Sequence, residues 1–277
     1  MIKKQLIMEK ALELIAKQGF EATTVQQITD YCGISKGAFY LSFKSKDELI
    51  LALIDHFMMQ FISDIDQIVR STQDENLLYE FYYSIYDSFQ KHSDFAKVLM
   101  KEQTSSLNEQ LIIKLQHYDR LLEVTILSMV ERLYGDQVQE SKYDLMFCIK
   151  AFMNTYSHLF LFYNIPVDLH LLAQSLVEKT DLLAKQTSTP FITKEMIQIL
   201  PATHDQQDDT VEQIKLLIKQ KIAEMDESIE KESLILLKEQ LEQQTYSRAI
   251  IKGLLENIRN QPHCKWIAYL LYSYYHF

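Results

Sequence analysis

Apolar residues recur at three- and four-residue steps along most of this chain, with charged and amide side chains between them, the spacing of helices with one buried face. The first run, from about Lys3 to Lys17, sets Leu6, Ala11, Leu14 and Ile15 on one face and ends at Gly19, with Phe20 anchoring the turn that follows. A long run from Lys46 to about Val69 carries Leu49, Leu53, Phe57, Phe61, Ile65 and Ile68. After a polar break at 71–76 comes an aromatic-rich helix with Leu78, Phe81, Tyr82, Ile85, Tyr86 and Phe89, broken at His92-Ser93-Asp94. A shorter helix, Phe95 to Met100, and a longer one from about Leu107 to Leu133, closed by Gly135, are expected next. Residues 142–163 are apolar nearly all round, which marks a buried or interface helix, and Pro166 separates them from a helix over Leu169–Ala184. Residues 187–207 read as a connector with one weak helical piece. Asp209–Asn260 reads as charged amphipathic helix, with Val211, Ile214, Leu217, Ile218, Ile222, Met225 and Ile229 on one stripe, and a basic-aromatic tail, HCKWIAYLLYSYYHF, closes the chain. Strand-type alternation is not evident, and five glycines and four prolines, none before Pro166, fit an all-α protein.

Between the first and the long run lies a denser set of signals. Thr24 caps a short helix over Val25–Tyr31, with Gln27 closing a T-x-x-Q capping box and Val25 and Ile28 turned inward. Gly33 supplies the left-handed residue of a sharp turn. Ser35 then caps a second short helix, Lys36 to Leu41, with Phe39 and Phe43 pointing inward; Ser45 caps the long helix, and Glu48 completes a second capping box. Two short helices joined by a glycine turn are the helix-turn-helix pattern, although an ordinary helical hairpin shares each of these features.

The stretch ALELIAKQGFEATTVQQITDYCGISKGAFYLSFKSKDELI resolves that ambiguity. Its K-Q-G-F turn, paired Thr23–Thr24, G-x-S-K-G before an aromatic-Tyr pair, and Phe43 followed by S-K-D-E-L resemble the N-terminal domain of the TetR/AcrR family of bacterial transcriptional regulators. The resemblance is specific over residues 6–53 and extends as a general helical layout, nine helices, to about residue 186. It implies a DNA-binding domain at 1–47, a helical ligand-binding and dimerisation domain at 48–190, and leaves 191–277 as a helical C-terminal extension outside the pattern. On matching positions, Ser35, Lys36, Gly37 and Ala38 meet base edges, Lys36 as a donor to guanine, while Thr24, Tyr40, Lys44 and Lys46 hold phosphates. Leu41 and Ser42 depart from the family, which commonly carries larger or basic residues there. The resemblance also implies a ligand pocket, for which Tyr82, Tyr86, Phe89, Tyr118, Phe147, Met153, Tyr156 and Phe160 are the candidate lining, with Asn154 or His158 as polar groups. A stripe of this kind is more often plain core.

Charge fits this division. The net charge of −10 splits into seven bases against six acids over residues 1–50, about +1, and about −11 over the rest, so an acidic body is repelled from DNA and its head is not. Cys32, Cys148 and Cys264 stand far apart in no metal or redox spacing, and eight dispersed histidines form no ligand motif. No phosphate loop, nucleophile elbow or catalytic constellation is visible, and Trp266–Phe277 is too short to span a bilayer. The expectation is therefore a cytoplasmic, non-enzymatic regulator without a cofactor, metal or membrane association. It binds a double-stranded DNA operator as a homodimer and is released by a small lipophilic effector. The alternative is a DNA-bound architectural or recruiting factor whose extension binds a protein partner.

Overall fold

The computed structural model describes residues 2–102, 109–163, 165–199 and 211–277, and among these every regular element is helical. Helices α1 (Ile2–Gln18), α2 (Val25–Cys32) and α3 (Lys36–Tyr40) form a small head. The body follows with α4 (Lys46–Ser71), α5 (Asp74–Lys91), α6 (Ser93–Glu102), α7 (Glu109–Tyr134), a 3-10 turn at 135–138, α8 (Lys142–Leu161) and α9 (Leu169–Gln186). The extension carries α10 (Lys194–Ile199), α11 (Val211–Glu224), α12 (Ile229–Gln243), α13 (Arg248–Arg259) and α14 (Lys265–Tyr274). The expected starts near Leu107 and at Asp209 lie outside the described residues.

The head buries Ile7, Ala11, Leu12 and Ile15 of α1 against Phe20, Ile28, Phe39, Phe43 and Leu49. Leu6 is exposed and Leu14 only half-buried, so the face expected from the sequence is rotated. Ile7, Ala11 and Ile15 share the same four-residue step as a neighbouring stripe, and the stripe that meets Phe20 and Ile28 is the one that is buried. Val25 is likewise only half-buried, and Thr29 takes part of its expected place in the interior.

Around α4 the body is layered. α4 packs on α7 and α5, α5 on α9 and α8, and α7 on α8. Two fully buried tyrosines fasten α5 to its neighbours: the Tyr82 hydroxyl lies 2.7 Å from Thr180 Oγ1 on α9, and the Tyr86 hydroxyl donates to the Phe152 carbonyl on α8 at 2.8 Å. Burial pushes both phenols well above their ordinary value, so they remain neutral donors. Gly135 closes α7 in the left-handed region, at φ 50°, where a side chain would be strained.

In the extension the structure corrects the sequence reading. The amphipathic stretch to Asn260 is three helices rather than one. Ser228 caps α12 by accepting from the Lys231 N–H at 3.2 Å, and Gln244 ends it in the left-handed region at φ 51°. Neither break contains Gly or Pro, so apolar spacing runs through them unmarked. Ile229 falls off the expected stripe and is exposed. The closing stretch is a core helix: α14 buries Ile267, Ala268, Leu270 and Leu271 and packs against α4. Each buried Ile or Leu contributes roughly 1.5–3 kcal/mol. Polar ties add to this attachment: Lys265 to Asp64 at 2.5 Å, Gln67 to Asn260 at 2.7 Å, and Arg70 to the Phe277 carbonyl and over the Tyr272 ring.

Candidate DNA-reading face and ligand cavity

The turn between α2 and α3 is built by the caps read in the sequence. Gln27 N–H donates to Thr24 Oγ1 at 3.2 Å, and Gln27 Oε1 accepts from Thr24 N–H at 2.8 Å. Gly33 adopts φ 65° and ψ 35°, and Ser35 Oγ accepts the Ala38 N–H at 3.2 Å. At the start of α4, Ser45 Oγ accepts the Glu48 N–H at 3.0 Å, but Glu48 Oε2 takes the Lys44 N–H at 2.6 Å. The second box therefore closes one residue earlier than expected and leaves Lys44 fixed at its backbone, with an exposed side chain.

Thr24, Ser35, Lys36, Gly37, Tyr40 and Lys44 are exposed, and Ala38 is half-buried. Tyr40 leans edge-on against buried Phe39, ring centres 5.4 Å apart, and is itself exposed. A methyl group on Gly37 would meet nothing closer than Ser35 Oγ at 3.8 Å. The head's own packing therefore does not require glycine there, and the open space faces outward. Lys46 is placed differently. Its ammonium donates inward to the Phe20 carbonyl at 2.8 Å and sits 4.1 Å from the centre of the Phe20 ring, so it ties α4 to the loop after α1. Leu41, noted in the sequence only as a departure, is 91% exposed beside Tyr40. A leucine so placed has no packing role, and burial alone distinguishes it.

Within the body, α4, α5, α6, α7 and α8 line a cavity of about 590 Å³, inside the range of small-molecule sites. Of the eight candidate lining residues, Phe89, Phe147 and Met153 are on its wall, as is Asn154. Tyr82 and Tyr86 are instead core fasteners. Tyr118 donates to Asp55 at 2.8 Å and lies beside Trp266 of the extension, while Tyr156, Phe160 and His158 are off the wall. The sequence reading missed Phe57, Phe61 and Phe95. Phe57 stacks on Phe95 at 4.4 Å and Phe61 on Phe89 at 5.6 Å, pairings between helices that spacing within one helix cannot reveal.

At one side of the cavity Lys150 reaches Asp119 at 2.8 Å and Glu123 at 2.5 Å. Burial pulls this ammonium toward neutrality, but its two carboxylate partners outweigh burial and raise its pKa. His92, also on the wall, is held below its ordinary value by burial and by nearby His56 and Lys91. Among the described residues no three His, Cys, Asp or Glu groups converge on a metal position, and no helix is long and apolar enough to cross a membrane.

Comparison with known proteins gives this arrangement a context. A family model described as bacterial regulatory proteins, tetR family, matches residues 7–53. The uncharacterised HTH-type transcriptional regulator YuxN of Bacillus subtilis (strain 168) is 30% identical over 275 residues, covering 92% of this chain and 91% of its own. YerO of the same organism, also an uncharacterised HTH-type transcriptional regulator, is 29% identical over 266 residues, covering 92% and 89%. Both alignments must reach well into the extension. The crystal structure of the transcriptional regulator FadR from Bacillus subtilis in complex with stearoyl-CoA has the same fold, with TM-score 0.57, 19% identity, and coverage of 66% of this chain and 98% of that one.

Proposed function

The chain belongs to the TetR family of bacterial transcriptional regulators, and on that premise we propose that it is a homodimeric repressor released from its operator by a small lipophilic ligand. The observation that carries this reading is the path between cavity and head. Phe95, Ala96 and Leu99 of α6 form part of the cavity wall, and α6 packs against α1 of the head. α4 runs from the cap at Ser45 past the same cavity through Phe57, Met58 and Phe61. A ligand that binds one arrangement of these helices better than another shifts the heads by that difference in affinity.

Two heads of a dimer read half-sites in successive major grooves. Ser35, Lys36, Gly37 and Ala38 face base edges, with Thr24, Tyr40 and Lys44 on phosphates; Lys46 acts from behind by fixing the head to α4. Dimerisation is supported by apolar side chains left exposed at the ends of α8 and α9 and between them, namely Leu159, Phe162, Tyr163, Ile165, Leu171 and Leu182. A repressor of this kind works in the cytoplasm, where its operator is. The acyl chain of FadR's stearoyl-CoA is a precedent within the fold for a long apolar ligand.

The test is binding of the purified full-length protein to its own upstream DNA, with and without lipophilic cations and fatty acyl compounds. Specific binding released by one of them is the expected result. Ala151→Trp, which fills the cavity from an exposed position on its wall, should keep operator binding and lose release. Specific binding that no compound releases would shift the reading to a recruiting factor; no specific binding at low salt would overturn it.

A further inference from the structure

A second compartment, about 430 Å³, lies beside the apolar cavity and shares Phe61, Ser88 and His92 with it. Its wall is more polar. The charged groups on its wall are Asp64 of α4, Asp87 and Lys91 of α5, and Lys265 at the start of α14. They are paired: Lys265 Nζ lies 2.5 Å from Asp64 Oδ1, and Lys91 Nζ lies 2.6 Å from Asp87 Oδ2. His92, with its lowered pKa, is neutral at pH 7. Two ammoniums and two carboxylates thus leave the compartment uncharged overall, with both signs displayed. The four side chains keep between 24% and 68% exposure, so a ligand in the compartment can reach each of them while the pairs stay formed.

Such a wall selects by repulsion as well as attraction. An anionic head meets Asp64 and Asp87, and a cationic head meets Lys91 and Lys265. A head carrying both signs pairs with both, and the apolar cavity next to it takes a chain. We propose that the effector is a single-chain amphiphile with a zwitterionic head, its chain in the apolar cavity and its head between the Asp64–Lys265 and Asp87–Lys91 pairs. The C-terminal extension then supplies one residue of the effector site, Lys265. The inference rests on the reading of the apolar cavity as the effector site.

Calorimetric titration of the full-length protein with four twelve-carbon probes below their micellar concentrations tests it: dodecylphosphocholine, dodecyltrimethylammonium, laurate and dodecyl maltoside. The zwitterion should bind at least about tenfold more tightly than the other three, the repulsive element setting the difference. Lys265→Met leaves the compartment at −1 and should move the preference to the cation; Asp64→Asn leaves it at +1 and should move it to laurate. The double variant, neutral again, should recover the zwitterion preference, which a misfolded protein cannot do. Equal binding of the neutral and zwitterionic heads, or one unchanged order in all variants, would overturn the inference. No DNA is present in this assay, so the two readings fail separately: head selectivity without operator release overturns the repressor reading alone, and release without head selectivity overturns this inference alone.

Discussion

Replacing Lys46 by methionine keeps the aliphatic stem and removes the ammonium that donates to the Phe20 carbonyl at 2.8 Å and caps its ring at 4.1 Å. A hydrogen bond from a charged donor contributes about 1.5–3 kcal/mol, and a cation–ring contact at a partly open position about 0.5–1 kcal/mol. Lys46 is half-buried, so water reaches part of the vacated carbonyl, and the expected loss is about 1.5–3 kcal/mol rather than the sum. The loss falls on the junction of head and α4, so native-state amide exchange across α1–α3 is the assay that reads it. Those amides should exchange faster by the corresponding factor, with the amides of α5 and α9 unchanged. Operator affinity should fall only as far as the folded head is depopulated, and the slope of log affinity against log salt should stay the same. A lysine held by a DNA phosphate would behave oppositely, leaving exchange untouched and reducing the slope by about 0.9. That result would refute the inward assignment.

Lys44→Ala should lower the salt slope by about 0.9 with stability unchanged, since its side chain is exposed, whereas Lys36→Ala should cost about 1–3 kcal/mol on the cognate operator and relax base preference at one position. Tyr82→Phe leaves Thr180 Oγ1 buried without its 2.7 Å partner and should destabilise the body by about 1–3 kcal/mol, read as a lower urea midpoint at constant m. His92 has a folded-state pKa below its ordinary 6.5, so the unfolded chain takes up the proton first. Stability linked to it is therefore intact above 6.5 and falls as pH drops through that value toward the depressed one. His92→Gln should flatten that fall in thermal melts taken across the same range.

The head was legible because its signals are local. A cap at Thr24, a positive-φ glycine at Gly33 and a cap at Ser35 each act over three or four residues, and each stands where the sequence places it. The body was legible as helices, since α4, α5, α8 and α9 follow their apolar periods to within a few residues. Its cavity was not. Whether Phe89 or Tyr86 faces open space depends on which helix lies opposite, and both satisfy the same helical stripe. The extension failed for another reason. Its breaks at Ser228 and Gln244 carry no Gly or Pro, and the burial of α14 depends on α4, about two hundred residues earlier. Lys46 illustrates a third limit, because a lysine at a helix start reads as an anion site whether its ammonium turns out or in.

α4 is 26 residues long and therefore spans about 39 Å at 1.5 Å per residue. Its far end is held: Arg132 donates to the Val69 and Thr72 carbonyls, Lys265 of α14 donates to Asp64, and Gln67 donates to Asn260 at the end of α13. Its near end carries the head. A rod clamped at one end acts as a lever arm, and a tilt of about 5° about the clamp moves the head end by roughly 3 Å over that length. In the proposed dimer both arms would swing, so a change of a few degrees beside Phe57 and Phe61 would alter the span between heads by roughly 6 Å, against a half-site spacing of about 34 Å. On the proposed repressor reading, a stiffer clamp would make that gain more reproducible, and the extension would serve to fix the fulcrum.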